Sequence, residues 1–352
     1  MVHKSLIFTL TLLATIMVAY VLVIGQNLLI PFIVALFIWQ LLNTVANSIY
    51  KIKWLGITLP AWVCMLISIV LLGELIWAVI NIISNNVFAV INAAPRYQDK
   101  FMQLINKLEV YGHIKYPLDI SEFSKNLDLQ SVFTNVYSVF TSLTRNAVLI
   151  LLYIVFLFFE QKVLMSKVQA FFLQKRYRDL TLRMVHYIIR DTQIYLGIKT
   201  LTSVLTALLS WGIMRWVGLD FSAFWALLIF FLNFIPNIGA IIATVFPALL
   251  ALIQFPDWSP FLAVTIGISA VQFFIGNLIE PRLMGNSLNL SPLVILISLG
   301  IWGSLWGVIG MFLSVPITVM MLIVFSHFEK TRGIAVLLSR DGTLKTYASS
   351  FR

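Results

Sequence analysis

The sequence predicts an all-α polytopic integral membrane protein. It reads as about six full spans plus two broken or hairpin (re-entrant-like) helical segments, with a small helical extramembrane insertion. Three observations carry that expectation. Of the 352 residues, 60% are hydrophobic and 11% charged, with a mean hydropathy of +0.96, against roughly 45–50% and 25% in soluble domains. The apolar residues fall in runs long enough to cross a hydrocarbon core of about 30 Å. Two of those runs, 221–254 and 293–325, are too long for one crossing and carry helix breakers at their middle. As a straight helix each would be about 50 Å long.

The first element is a run from Ser5 to Tyr50 without a single charge. It fits two spans, roughly 6–25 and 28–46, turning at Gly25, Gln26 and Asn27 near Pro31. A secretory signal would have an apolar core of about 7–15 residues and a small-x-small cleavage site. This run is longer and is followed by no such site, so it reads as retained. Lys51 and Lys53 mark a short basic loop, and a third span from Leu59 to Ile83 completes the N-terminal transmembrane helices, residues 1–83.

Composition then changes. Residues 84–145 alternate basic and acidic side chains with apolar ones at helical intervals, predicting a helical, periplasmic insertion broken near Pro117. A short transmembrane helix follows at 146–159, beginning as early as 133–144 if Arg145 snorkels. Residues 160–193 hold seven basic and three acidic side chains and read as cytoplasmic amphipathic helices along an anionic leaflet. The remainder is a transport core, 194–325, and a basic cytoplasmic tail, 326–352. Within the core, a span at 194–217 places Lys199 and Arg215 near its ends, within reach of the interfaces, and another span covers 261–279.

Charge sets the orientation. With the N-terminus in the cytoplasm and both long runs folded as hairpins, the basic segments share one side: Lys4, Lys51 with Lys53, residues 160–193 and the tail. The opposite loops, including those at Arg215, Asp220 and Asp257, then carry almost no net charge. That is the positive-inside pattern, satisfied by two hairpins or by two full crossings with Arg282 mildly favouring hairpins, and it assigns the +10 net charge to orientation. Nucleic acid is not an expected partner; membrane lipids are.

Little points to enzymatic chemistry. Cys64 is the only cysteine, and His3, His113, His186 and His327 have no ligand-like spacing. No phosphate-binding loop or nucleophile with its base is present, so no catalytic residue, metal or cofactor is expected.

The candidate functional residues sit where backbone regularity breaks. Asn233, Pro236, Asn237 and Gly239 fall within seven residues of an apolar run, LNFIPNIGAII. Irregular backbone at membrane depth is tolerated only against protein or a water-filled cavity, so these residues are expected at the tip of a hairpin along the substrate path. The bland alternative is helix packing, with asparagines bonding across helices. Gly300, Gly303, Gly307 and Gly310 have the spacing of one helical face, with a GxxxG at 303 and 307. They serve either close helix contact or the second hairpin. Trp302 and Trp306 read as interfacial anchors or site residues. In GNLIEPRLMG, Asn277, Glu280, Pro281 and Arg282 form a polar cluster that gates one side or simply marks the interface. Glu74 and Glu280 are the carboxylates placed for proton or cation coupling, unless Glu74 snorkels to the outer surface.

The phrases LNFIPNIGA (232–240), FIGNLIEPRLMG (274–285), LSPLVILISLGIWGSLWGVIGMFLSVP (290–316) and IAVLLS (334–339) resemble the signature segments of the autoinducer-2 exporter family of bacterial inner-membrane transport proteins. The resemblance covers nearly the whole chain and is most specific in the C-terminal half. It implies secondary export of autoinducer-2, a small neutral polyhydroxylated ring, in quorum sensing. It also implies a homo-oligomer, a pentamer, with both termini cytoplasmic. Members of the family assigned to Na⁺(Li⁺)/H⁺ antiport supply an alternative. A non-transporting membrane scaffold, binding partners through 84–145 and 160–193, is a third reading. A neutral polyol fits the residues better than a cation, because polyols want amides and hydroxyls whereas cation coupling needs carboxylates deep in the membrane.

Overall fold

The structure, a computed structural model, describes residues 2–51, 59–112, 138, 141, 145–172, 174–285 and 289–344. Among them every regular element is helical. In chain order these are α1 (Val2–Ile24), α2 (Gln26–Lys51), α3 (Ala61–Gly112), α4 (Ala147–Phe171), α5 (Lys175–Val217), α6 (Ser222–Leu232) and α7 (Ile238–Gln254). They are followed by α8 (Trp258–Phe273), a π-helical segment (Phe274–Ile279), α9 (Glu280–Met284), α10 (Pro292–Ser326) and α11 (Arg332–Leu338). Stretches Gln26–Lys51, Ala61–Ile83, Ala147–Phe171, Lys175–Val217 and Trp258–Met284 are each long and apolar enough to cross a membrane. This is a multi-pass α-helical membrane protein.

Helices end at backbone signals rather than at changes of composition, and several expected boundaries therefore dissolve. α3 continues for 52 residues through Ile83, and α5 for 43 residues through the expected surface-to-span transition at 193. α4 likewise runs past 159, and the actual break comes at Phe172, whose backbone is extended. Between α1 and α2 there is no loop, only Gly25. Gly25 N–H bonds to Val21 O at 2.8 Å and Leu29 N–H to Gly25 O at 2.9 Å, so helical bonding persists on both sides of the interruption. The expected break near Pro117 lies outside the described residues.

The chain divides into two compact units. One comprises residues 1–45, 146–196 and 286–352; the other comprises 46–145 and 197–285. Each holds one of the long interrupted runs, and each run is a helical hairpin.

In the first unit the hairpin is α10, which reverses at Trp306 (φ −129°) and Gly307 (φ +60°). Only glycine adopts that second conformation without steric cost. Ser298 Oγ lies 3.2 Å from Ser314 O and also shares a short hydrogen bond with Thr318 Oγ1. In a continuous helix, residues 16 apart would be about 24 Å distant. A Cβ on Gly310 would sit 1.9 Å from Trp302 O, so the arms meet backbone to backbone there. This corrects the expectation for the four glycines. Gly303 and Gly307 do not share a helical face, because the reversal falls on Gly307 itself. Gly303 faces the opposite arm at Met311, and Gly300 and Gly307 have open space around them. Trp306 is no interfacial anchor either, being buried with its indole N–H donating to Leu22 O at 3.0 Å. Phe37 of α2 packs on Phe312 of the second arm. At the hairpin's foot His327 is buried, its Nδ1 2.7 Å from Ile323 O. Ser291 N–H bonds Leu338 O, tying α11 to the start of α10.

In the second unit α6 and α7 form the other hairpin. Its base is clamped by Gln254, which accepts from Asp220 N–H (2.8 Å) and donates to Gly218 O (3.0 Å). Trp225 stacks on Phe246 between the arms at 6.2 Å. Asp220 also accepts a 2.6 Å bond from Tyr97 of α3, and burial, reinforced by that bond, raises the Tyr97 phenol well above its ordinary pKa. An apolar cluster of Ile83, Met214, Leu219, Phe224, Ile229, Ala251 and Ile268 fills the interior. The arms are 11 and 17 residues long, about 16 and 25 Å. Both fall short of a hydrocarbon core of about 30 Å, so the hairpin has re-entrant dimensions.

Candidate functional site

The tip of the α6–α7 hairpin is built by the residues whose clustering is conspicuous in sequence. Asn233 ends α6; Pro236 cannot continue a helical ladder, and Asn237 takes φ +58°, which frees the chain to turn. Gly239 is required at the return, because a Cβ there would lie 1.8 Å from Leu232 O. Asn233 and Asn237 then part company. Asn237 is exposed, whereas Asn233 is 8% exposed and donates Nδ2–H to Ser203 Oγ of α5 at 3.0 Å.

One helical turn of α5 carries a second polar contact. Lys199 Nζ lies 2.7 Å from Glu280 Oε1, with side chains 9% and 15% exposed. Thr202 Oγ1 lies 3.3 Å from Glu280 Oε2 and 3.1 Å from Lys199 O, so its one proton is shared between two acceptors. Lys199 therefore does not reach for an interface as sequence position suggested. A carboxylate within the protein replaces the water that snorkelling would have sought.

The π-helical segment explains why Glu280 is the partner. Pro281 has no N–H and its ring crowds the preceding turn. Just before it the ladder shifts register, Glu280 N–H bonding Ile275 O. Val264, Ile268 and Ile275 are buried on this helix. At about 100° per residue, continued α-helix would turn Glu280 roughly 140° away from Ile275. The extra residue in the turn brings Glu280 back to the buried face. π-bulges of this kind recur at functional sites. Asn277, Pro281 and Arg282 are exposed and do not join Glu280, so the polar cluster expected from GNLIEPRLMG is split. Glu74 is exposed on α3 and takes no part in the Lys199 contacts.

Of the residues singled out in sequence, Asn233, Gly239 and Glu280 lie at these contacts; Thr202 and Ser203 were not among them, and Lys199 was expected at an interface. The signal for them is a polar stripe at 199, 202, 203, 206 and 210 in an otherwise apolar span. All five residues are under 9% exposed. Chemically the arrangement offers an amide, several hydroxyls and a compensated ion pair in a water-poor setting, groups able to hydrogen-bond a polar solute.

A hairpin with an irregular tip, set against a long apolar helix with buried polar groups, is a recurring device of membrane transporters. The chain belongs to the AI-2E family of transporters, whose family model matches residues 10–330. It is 29% identical over 320 residues to the AI-2 transport protein TqsA of Escherichia coli, covering 90% of each chain. A Haemophilus influenzae protein assigned to transport without a stated substrate is 27% identical over 323 residues, 90% of this chain and 91% of its own. A similarly assigned protein of Borreliella burgdorferi is 34% identical over 206 residues, covering 58% and 57%.

Proposed function

We propose that this protein is a secondary exporter of a small neutral polar signal molecule, autoinducer-2, across the bacterial inner membrane. The observation that carries the reading is the buried Asn233–Ser203 amide–hydroxyl pair at the hairpin tip, one helical turn from the Lys199–Glu280–Thr202 contact. Such a site offers hydrogen bonds without an uncompensated charge, which suits a polyol. TqsA's name supports the choice of solute. Cytoplasmic termini and a homo-oligomeric assembly belong to the same proposal.

The test is signal accumulation inside and outside cells carrying Asn233→Leu, at matched protein levels. Export is expected to fall about fivefold or more, since a lost hydrogen bond to the solute, worth roughly 1–3 kcal/mol, corresponds to a factor of about 5 to 150. Unchanged export sinks the assignment. The buried Lys199–Glu280 pair favours one second reading, Na⁺(Li⁺)/H⁺ antiport. Proton flux in vesicles on adding Na⁺ or Li⁺, abolished by Glu280→Gln or Glu74→Gln, would replace export with antiport. Saturable solute flux in liposomes removes the scaffold reading.

A further inference from the structure

Above the turn that holds Asn233 and Glu280, the same face of α5 stays polar. Thr206 and Ser210 are both 0% exposed, as are Thr202 and Ser203. Lys199 to Ser210 spans about 16 Å at 1.5 Å per residue, half the thickness of the hydrocarbon core. The opposite face is lipid-like, with Leu201, Leu205, Leu208 and Leu209 between 37% and 58% exposed. Local bonding explains part of this stripe: Thr206 Oγ1 donates to Thr202 O at 2.8 Å, the ordinary back-bond of a helical threonine. It does not explain the end. Ser210 Oγ is buried and has no hydrogen-bond partner. An unmet buried hydroxyl costs roughly 1–3 kcal/mol, whereas alanine at the same position would cost almost nothing.

We propose that the α5 face from Ser203 through Thr206 to Ser210 is a hydroxyl ladder lining the solute path, closed in this conformation, along which a neutral polyol exchanges hydrogen bonds after Asn233. The proposal rests on the transport reading and gives it a solute class and a direction along α5. Ser203 and Asn233 hold the lower end, and Ser210 supplies an unmet donor and acceptor at the upper end. The stripe beyond Thr202 carries no formal charge, so it selects hydroxyl-bearing solutes over ions.

Thiol accessibility tests it in membrane vesicles of the full chain. Cys64 is the only native cysteine and is buried, so Cys64→Ser gives a clean background. On it, Ser210→Cys and Thr206→Cys are expected to react with a membrane-impermeant methanethiosulfonate about tenfold faster than Leu208→Cys, because a thiol in lipid stays protonated and inert. Excess erythritol should slow the two path variants, and NaCl at matched osmolarity should not. Equal rates for Ser210→Cys and Leu208→Cys overturn the ladder. Protection by NaCl rather than erythritol overturns the polyol as its occupant. Neither readout depends on which signal is exported, so the ladder survives if autoinducer-2 proves to be the wrong solute.

Discussion

Two hairpins in this chain solve the same geometric problem and direct their polar groups differently. Each reverses in the middle of a long apolar run, and each returns over a glycine pressed against a carbonyl, Gly239 on Leu232 O and Gly310 on Trp302 O. In the α10 hairpin the hydroxyls of Ser298, Ser314 and Thr318 bond from arm to arm or to their own helix, and the tip is pinned by Trp306. In the α6–α7 hairpin the tip amide of Asn233 bonds outward, to another helix. Both tips thus bond to another helix, but Trp306 meets a main-chain carbonyl of α1 whereas Asn233 meets a side-chain hydroxyl of α5. Under the proposed function, the difference points to the α6–α7 hairpin for the solute contact and leaves the α10 hairpin a structural role.

The largest effects should come from what the hairpins share. Gly239→Ala and Gly310→Ala are each expected to cost about 3 kcal/mol or more, since the new methyl overlaps backbone that cannot yield. Thermal unfolding in detergent, with Gly276→Ala as the unhindered control, reads this directly. If one glycine variant melts normally, the two reversals are not equivalent.

Next comes the ion pair. Lys199→Met leaves Glu280, 15% exposed, without its partner and should destabilise by about 3 kcal/mol, and adding Glu280→Gln should recover most of that loss. A double variant no better than the single would show that the pair is not coupled.

A smaller effect separates the hairpins most cleanly. Thr318→Val should lower stability by about 1 kcal/mol while leaving transport intact, whereas Asn233→Leu, which also loses a buried hydrogen bond of similar cost, should lose transport as well. Transport loss in Thr318→Val would return the α10 hairpin to the solute path.

The smallest is pH-dependent. Burial, with Arg183 adding to it, lowers the pKa of His327 at the foot of the α10 hairpin despite the bond to Ile323 O. The folded protein therefore prefers the neutral ring, and the unfolded chain binds the extra proton. Stability from this residue is fully present above about pH 6.5 and is lost as pH falls through that value. Melting curves between neutral and mildly acidic pH should shift downward in the native chain and flatten in His327→Gln.

Much of the fold is legible in the residues. Apolar run length announces the spans, and the breakers at Pro236–Gly239 and in the Gly-rich run 300–310 mark the two interrupted runs, because no lipid-exposed helix accommodates irregular backbone without protein around it; that the second reversal falls on Gly307 itself was not legible. Asn233 and Glu280 stood out for the same reason. The polar partners did not. Thr202 and Ser203 are common in membrane helices, and Lys199 near a span's end looks like a snorkelling residue.

What the sequence by itself determined is the class of protein, the two interrupted runs and the identity of the residues that break the helical pattern. These follow from local rules: hydropathy over about 20 residues, the missing N–H of proline and the free φ of glycine. Only the tertiary structure decided which of those residues meet. A one-residue shift of ladder before Pro281 turns Glu280 toward Lys199 and leaves Arg282 outside, and the fold buries Asn233 on Ser203 while Asn237 faces out. Such pairings depend on helix rotation and on contacts between residues 30 to 81 positions apart, which no local pattern encodes.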